Sequence, residues 1–198
     1  MGLELNYIEG QTPIDEDEKH GLRISSITTC EELDEFEQLN IEKAVEWTMR
    51  RNFNQDYIFT EQFVKELHLK MYEDVWKWAG KFRNTNKNLG VDWQSISVFL
   101  KQLLDDCKFW VEHKTYNEDE IAVRFSHRIV SIHCFPNGNG RHSRLISDVI
   151  ISHIFSMPVF SWGNSNLDKQ GDARKQYIDA IHLADQGNIL PLLDFARS

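Results

Sequence analysis

Apolar positions recur at helical spacing through most of the chain. The first such segment is "TTCEELDEFEQLNIEKAVEWTMR", where Leu33, Phe36, Leu39, Ala44 and Trp47 form an apolar stripe. Thr28 or Thr29 can cap its start, with Glu31 or Glu32 completing a capping box. A second helix is predicted in "TEQFVKELHLKMYEDVWKWAG", capped by Thr60, with Phe63, Leu67, Met71, Val75 and Trp78 on one side and Gly80 as its left-handed end. Helical spacing returns in "SVFLKQLLDDCKFWVEHK" and in "NEDEIAVRFSHRIVSIHCF", the latter entered through Asn117 and Glu120. It continues in "RHSRLISDVIISHIF" and "ARKQYIDAIHLADQGNILPLLDFA". Two stretches break the pattern. Residues 1–28 read as an irregular arm carrying a solvated acidic run, "DEDE". "KFRNTNKNLGVDWQSI", rich in Asn, reads as a hairpin excursion. The prediction is a mainly α domain over 29–198 with one small β-hairpin, preceded by the arm. The six tryptophans are expected mostly in the core.

Composition narrows the functional classes. The chain has 198 residues, and its formal net charge of −9 disfavours broad binding to nucleic acid or anionic membrane. Its apolar runs are shorter than the ~20 residues a membrane span needs. The start "MGLELNYIEG" has no basic region leading an apolar one, and the three cysteines lack metal-type spacing. Cytoplasmic residence is the expectation.

The chemistry concentrates in "HCFPNGNGRHSR", His133 to Arg144, between two helical segments. Pro136 disfavours helical geometry at Phe135, so the earlier helix is expected to end between His133 and Phe135. Gly138 and Gly140 permit a tight turn and close backbone approach to a ligand. A helix starting near Gly140 or Arg141 points uncompensated amides at the turn, a setting suited to phosphate. Arg141 and Arg144, three apart, share one face and can clamp phosphate oxygens. Two cations in a helical first turn oppose the helix dipole, which argues for an anionic ligand. His133 can take a proton from an attacking hydroxyl, and Asn137 offers an oxygen to a metal ion. Such parts suit transfer from a nucleoside triphosphate to a hydroxyl.

The run resembles the signature of the Fic (Fic/Doc) family, H-x-F-x-[D/E]-G-N-G-R-x-x-R, matching at His133, Phe135, Gly138, Asn139, Gly140, Arg141 and Arg144. "VWKWAGKFRNTN" and "YIDAIHLADQGNILPLLDFA" extend the resemblance over about residues 30–198, and the whole chain is similar to the subgroup called mobile mystery protein B. The resemblance implies a helical bundle with the motif in an interhelical loop. It also implies AMP transfer from ATP, with Mg²⁺, to a Ser, Thr or Tyr hydroxyl of a target protein. His133 would be the general base and Phe135 the anchor of the loop. Gly138, Asn139 and Gly140 would cradle phosphates, Arg141 and Arg144 would clamp the outer ones, and Tyr177 and Asp185 would face the nucleoside. A flap at about Arg83 to Val91 would align the target by strand-type pairing. Asn137 stands where the family has the acidic Mg²⁺ residue, and its uncharged oxygen should bind a hard dication more weakly.

The family resemblance also suggests a brake. Glu9–Gly10 in "LNYIEGQT" is similar to an inhibitory motif whose Glu pairs with the second arginine, although Leu5 stands where Ser or Thr is usual. Glu9 would then pair with Arg144, with a separate antitoxin partner as the other route to inhibition. Two alternative functions remain: a Doc-like kinase with reversed nucleotide, and a nucleotide-binding toxin–antitoxin module without useful catalysis.

Overall fold

The structure is a computed structural model and describes residues 12–164, 167 and 171–198. It is mainly α-helical, as the pattern predicts. In chain order the helices are α1 (Glu16–Lys19), α2 (Cys30–Met49), α3 (Gln55–Ile58), α4 (Glu61–Tyr72), α5 (Ile96–His113), α6 (Glu118–Ile132), α7 (Asn139–Val149), α8 (Asp172–Asp185) and α9 (Leu190–Arg197). α6 and α7 pack side by side, with α5 against α6, α4 against α7, and α2 against α4. α8 and α9 form a closing pair. A π-helical segment, Ile150–Ile154, prolongs α7. No helix among the described residues is long and apolar enough to cross a membrane.

The caps follow the sequence closely. The Thr29 hydroxyl accepts the Glu32 amide, and the Glu32 carboxylate reaches back to the amides of Thr28 and Thr29. Thr60 and Asn117 cap α4 and α6 through their side chains. Trp76 and Trp162 are buried and Trp47, Trp78 and Trp110 pack on the core, whereas Trp93 is exposed.

Three local expectations are corrected. First, α2 buries only part of its predicted stripe: Leu33 and Ala44 are buried and Trp47 packs on the core, but Phe36 and Leu39 are exposed, and Glu37, Asn40 and Thr48 are buried beside them. Polar residues turn inward because buried partners await them. Glu37 accepts Trp76 Nε1–H at 2.6 Å. Asn40 donates to the Lys70 carbonyl and accepts the Asp74 amide, bridging the end of α4. Second, that bridge helps end α4 at Tyr72 instead of Gly80. The chain then turns, and Trp76 forms an isolated antiparallel bridge with Leu22. Gly80 is left-handed, but in a later turn, where its amide donates to His68 Nδ1.

Third, no hairpin forms at 81–92 among the described residues. The Arg83 guanidinium takes the carbonyls of Thr85 and Val91, so cross-strand pairing has lost acceptors to a side chain. The segment pairs instead with the end of α6: Arg83 N–H donates to the Cys134 carbonyl and Val91 N–H to that of Ile132. The acidic run is likewise only partly solvated, since Asp15 and Glu18 both bind Lys87.

Asn40→Ala should lower unfolding free energy by about 1–3 kcal/mol, because two backbone groups at the α4 terminus lose their partner. Leu39→Ala, one residue away and exposed, should stay within about 0.5 kcal/mol of the wild type. Denaturant unfolding of the two variants measures the contrast.

Candidate active site at the α6–α7 loop

The loop leaves α6 at His133, which is left-handed at φ 59° and ψ 62°. Its fold is held by side chains that satisfy buried peptide groups. The Asn139 amide accepts the Phe135 N–H at 2.9 Å and donates to the Phe135 carbonyl at 2.8 Å. His68 accepts the Gly80 amide at Nδ1, so its Nε2–H donates to the Asn137 carbonyl at 3.1 Å. Its ring stacks on Phe135 with centroids 3.7 Å apart, and Phe135 is fully buried, in line with an anchoring role. Arg83 Nε–H donates to the His133 carbonyl at 2.6 Å.

These contacts present His133 at one lip. Its ring is buried and its Nε2 lies 2.9 Å from the Thr12 hydroxyl. Burial, with the nearby Arg83 charge, pushes its pKa down to about 4 against a hydrogen bond with the Val130 backbone that favours protonation. The ring is therefore neutral near pH 7. A neutral ring protonated at Nδ1 leaves the lone pair on Nε2, where it can accept the Thr12 hydroxyl proton.

The other lip is the start of α7. Gly138 is left-handed, and a Cβ there would sit 2.5 Å from the Tyr72 ring. No side chain among the described residues caps α7, so its first amides open onto the turn. A Cβ on Gly140 would meet nothing nearer than Arg144 Nη1 at 3.7 Å, so the missing side chain leaves space in front of that guanidinium. Arg144 lies over the Tyr177 ring at 5.5 Å. Arg141 makes an ion pair of 2.6 Å with the buried Glu37. Glu37 thus relieves one of the two charges that oppose the helix dipole.

A cavity of about 530 Å³ joins both lips, reached by His133, Asn137, Gly138, Gly140, Arg141 and Arg144. Tyr177 and Asp185 line its far side. The Tyr177 hydroxyl is buried without a hydrogen-bond partner among the described residues, and Asp185 pairs with His127 at 2.8 Å. Asn139 reaches the cavity, but its side chain is committed to the loop. The Asn137 side-chain oxygen accepts the Gly138 amide at 2.6 Å, and its nitrogen donates to the Thr12 carbonyl at 3.0 Å. Glu9 lies outside the described residues.

Sequence reasoning did not single out Thr12, Glu37, His68 or Gly90 as site residues, and it gave Arg83 only as a limit of the flap. Glu37 carried a signal, a charge four residues after Leu33 and seven before Ala44, on one helical face. Gly90 carried a weaker one, and a Cβ there would meet His133 Cβ at 2.5 Å. Thr12 and His68 carried none, because only the tertiary fold brings them to the loop.

The depressed histidines make a pH prediction. His133 and His142 both sit at about 4, and burial also drives His68 well below 6.5. As pH falls below about 6.5 the unfolded chain takes up protons that the folded chain resists, so stability falls until about pH 4. Asp148, raised to about 7 by burial, acts oppositely, since the folded chain keeps its proton as pH rises from about 4 to 7. Three histidines should outweigh one carboxyl. Denaturant midpoints should drop between pH 6.5 and 4.5, and NMR should find the His133 ring still neutral at about pH 5.5.

The sequence pattern of the Fic/DOC family matches residues 58–151, which include the whole loop. "Protein adenylyltransferase Fic" of Aedes aegypti is 24% identical over 163 residues, covering 80% of this chain and 31% of that protein. "Probable protein adenylyltransferase y4lH" of Sinorhizobium fredii is 24% identical, covering 85% of this chain and 84% of that one. The chain thus spans about a third of the insect relative and most of the bacterial one. Among solved structures, the BepC protein of Bartonella tribocorum, with bound AMPPNP, superposes with a TM-score of 0.69 at 17% identity over 92% of this chain and 97% of that one. Fic-1 of C. elegans gives 0.64 at 19% identity over 90% and 51%. With the motif intact and set between two packed helices, residues 58–151 are similar to the Fic/DOC family, and the match takes in the whole candidate site.

Proposed function

We propose that the protein is an adenylyltransferase that moves AMP from ATP to a Ser, Thr or Tyr hydroxyl of a target protein. The observation that carries this reading is a cavity shared by a neutral, hydroxyl-bonded His133 at one lip and the start of α7 with Arg144 at the other. The base holds and accepts the acceptor proton at Nε2. The amides at the turn and the open face of Gly140 receive phosphate oxygens, and Arg144 balances their charge. Arg141, held by Glu37, aligns the cationic edge. Tyr177 offers an aromatic wall and a buried hydroxyl to the nucleoside, with Asp185 at the rim. The names of the relatives support the same reaction class.

Mg²⁺, when bound with the nucleotide, would spread and neutralise phosphate charge. No cluster of three or more His, Cys, Asp or Glu among the described residues could hold a metal alone. The side-chain oxygen of Asn137 keeps a second lone pair beyond its Gly138 contact, so it fits a metal carried mainly by phosphates. Glu9 stands three residues before Thr12, about 10 Å of chain at most, which supports its reach into the cavity as a brake on Arg144. An antitoxin chain is the alternative source of inhibition.

Incubation with ATP labelled at the α or γ position, Mg²⁺ and cell lysate tests the activity. Label should transfer from the α-phosphate only and vanish in His133→Ala. Label from γ alone would identify a kinase, and no label with nucleotide bound a binding module. Asn137→Asp should lower the Mg²⁺ concentration for half-maximal transfer about tenfold, by adding charge beside a hard cation. Glu9→Gly should raise the labelling rate.

A further inference from the structure

We infer that Thr12 is a modification site, the acceptor of AMP from the protein's own active site. The inference rests on the adenylyltransferase reading and assigns it a substrate hydroxyl within the chain.

Thr12 occupies the position an acceptor must take. Its hydroxyl lies 2.9 Å from Nε2 of His133, a ring that burial keeps neutral. Its backbone is held as well: the Thr12 carbonyl accepts Asn137 Nδ2–H at 3.0 Å, from the residue that opens the glycine turn. Thr12 and Ile14 are buried, and both line the cavity that contains Gly138, Gly140 and Arg144. Downstream, Lys87 on the 81–92 segment binds Asp15 and Glu18, each at 2.6 Å, with its own side chain almost fully covered. The segment expected to align a target therefore already holds Asp15 and Glu18, three and six residues after Thr12, by ion pairs instead of strand pairing.

The segment is held at three points: the Thr12 hydroxyl by the base, the Thr12 carbonyl by the Asn137 amide, and Asp15 and Glu18 by Lys87. A residue merely packed against a histidine would not need the last two. Surface ion pairs are individually weak, but Lys87 is desolvated and shared by two carboxylates, so its position is fixed by the arm.

The step balances. Thr12 Oγ1 attacks the α-phosphorus of ATP and an Oγ1–P bond forms. The bond from that phosphorus to the bridging oxygen breaks and pyrophosphate leaves. The Oγ1 proton passes to His133 Nε2. The product carries AMP as a phosphodiester on Thr12, and the lost hydroxyl proton ends the bond to His133.

The test uses the full chain with ATP and Mg²⁺, followed by intact mass and peptide mapping. One AMP per chain should appear on Thr12, at a rate per molecule that does not change with protein concentration. Thr12→Val should lower adduct formation at least about tenfold, while Thr12→Ser, which keeps a hydroxyl, should still be modified. Thermal melting of both variants reports whether the arm and core persist. An adduct on another residue, full modification of folded Thr12→Val, or a rate that rises with protein concentration would overturn the assignment. Label from α-phosphate on lysate proteins with Thr12 untouched would overturn it and leave the adenylyltransferase reading standing. No transfer to either would remove both.

Discussion

The rest of the site depends on how a loop between two buried helices satisfies its own peptide groups without water. From Ile132 to Asn137 the backbone is enclosed, and an unpaired buried amide or carbonyl costs about 1–3 kcal/mol. Asn139 clips both polar groups of Phe135. His68 donates to the Asn137 carbonyl. Arg83 covers the His133 carbonyl, while the 81–92 segment supplies amides to Ile132 and Cys134. Once these bonds are made, the loop has little freedom. His133 is left at one lip in a left-handed conformation that the surroundings enforce, and α7 begins at the other.

Electrostatics divides the two arginines of the motif. Arg141 is neutralised by Glu37, which also holds Trp76 and so ties α2 to both the α4–Trp76 turn and α7. Arg144 lies by Tyr177 at the open space before Gly140. Arg141 thus locks the scaffold through Glu37, and both arginines reach the cavity. The structure reallocates a mismatch with the helix dipole that the spacing of the two residues suggested they shared. The whole chain's negative charge is no obstacle, because the cationic edge is local and recessed.

The helical class, the caps at Thr29, Thr60 and Asn117, and the motif loop were legible because each depends on residues close in sequence. Capping needs a side chain within three positions, and the glycine turn writes its backbone geometry into residue type. The failures share a cause. The buried face of α2 was partly misread because Glu37 and Asn40 are polar, and only distant partners such as Trp76 and Lys70 make their burial favourable. The hairpin was misread because Arg83 takes carbonyls that a ladder would need. Thr12 gave no signal at all, since its meeting with His133 spans most of the chain. Asn139 was legible as part of the loop, but its side chain is spent on both polar groups of Phe135, which closes the turn.

The central claim is that the α6–α7 loop and Arg144 form a site for the phosphates of a nucleotide. Calorimetric titration of a non-hydrolysable ATP analogue with Mg²⁺ into the wild-type chain and into Arg144→Ala tests it most directly. One saturable site is predicted, weakened at least about tenfold in the variant, which loses a charge-assisted contact. Equal affinity in the two folded proteins, or no binding to the wild type, would contradict the account.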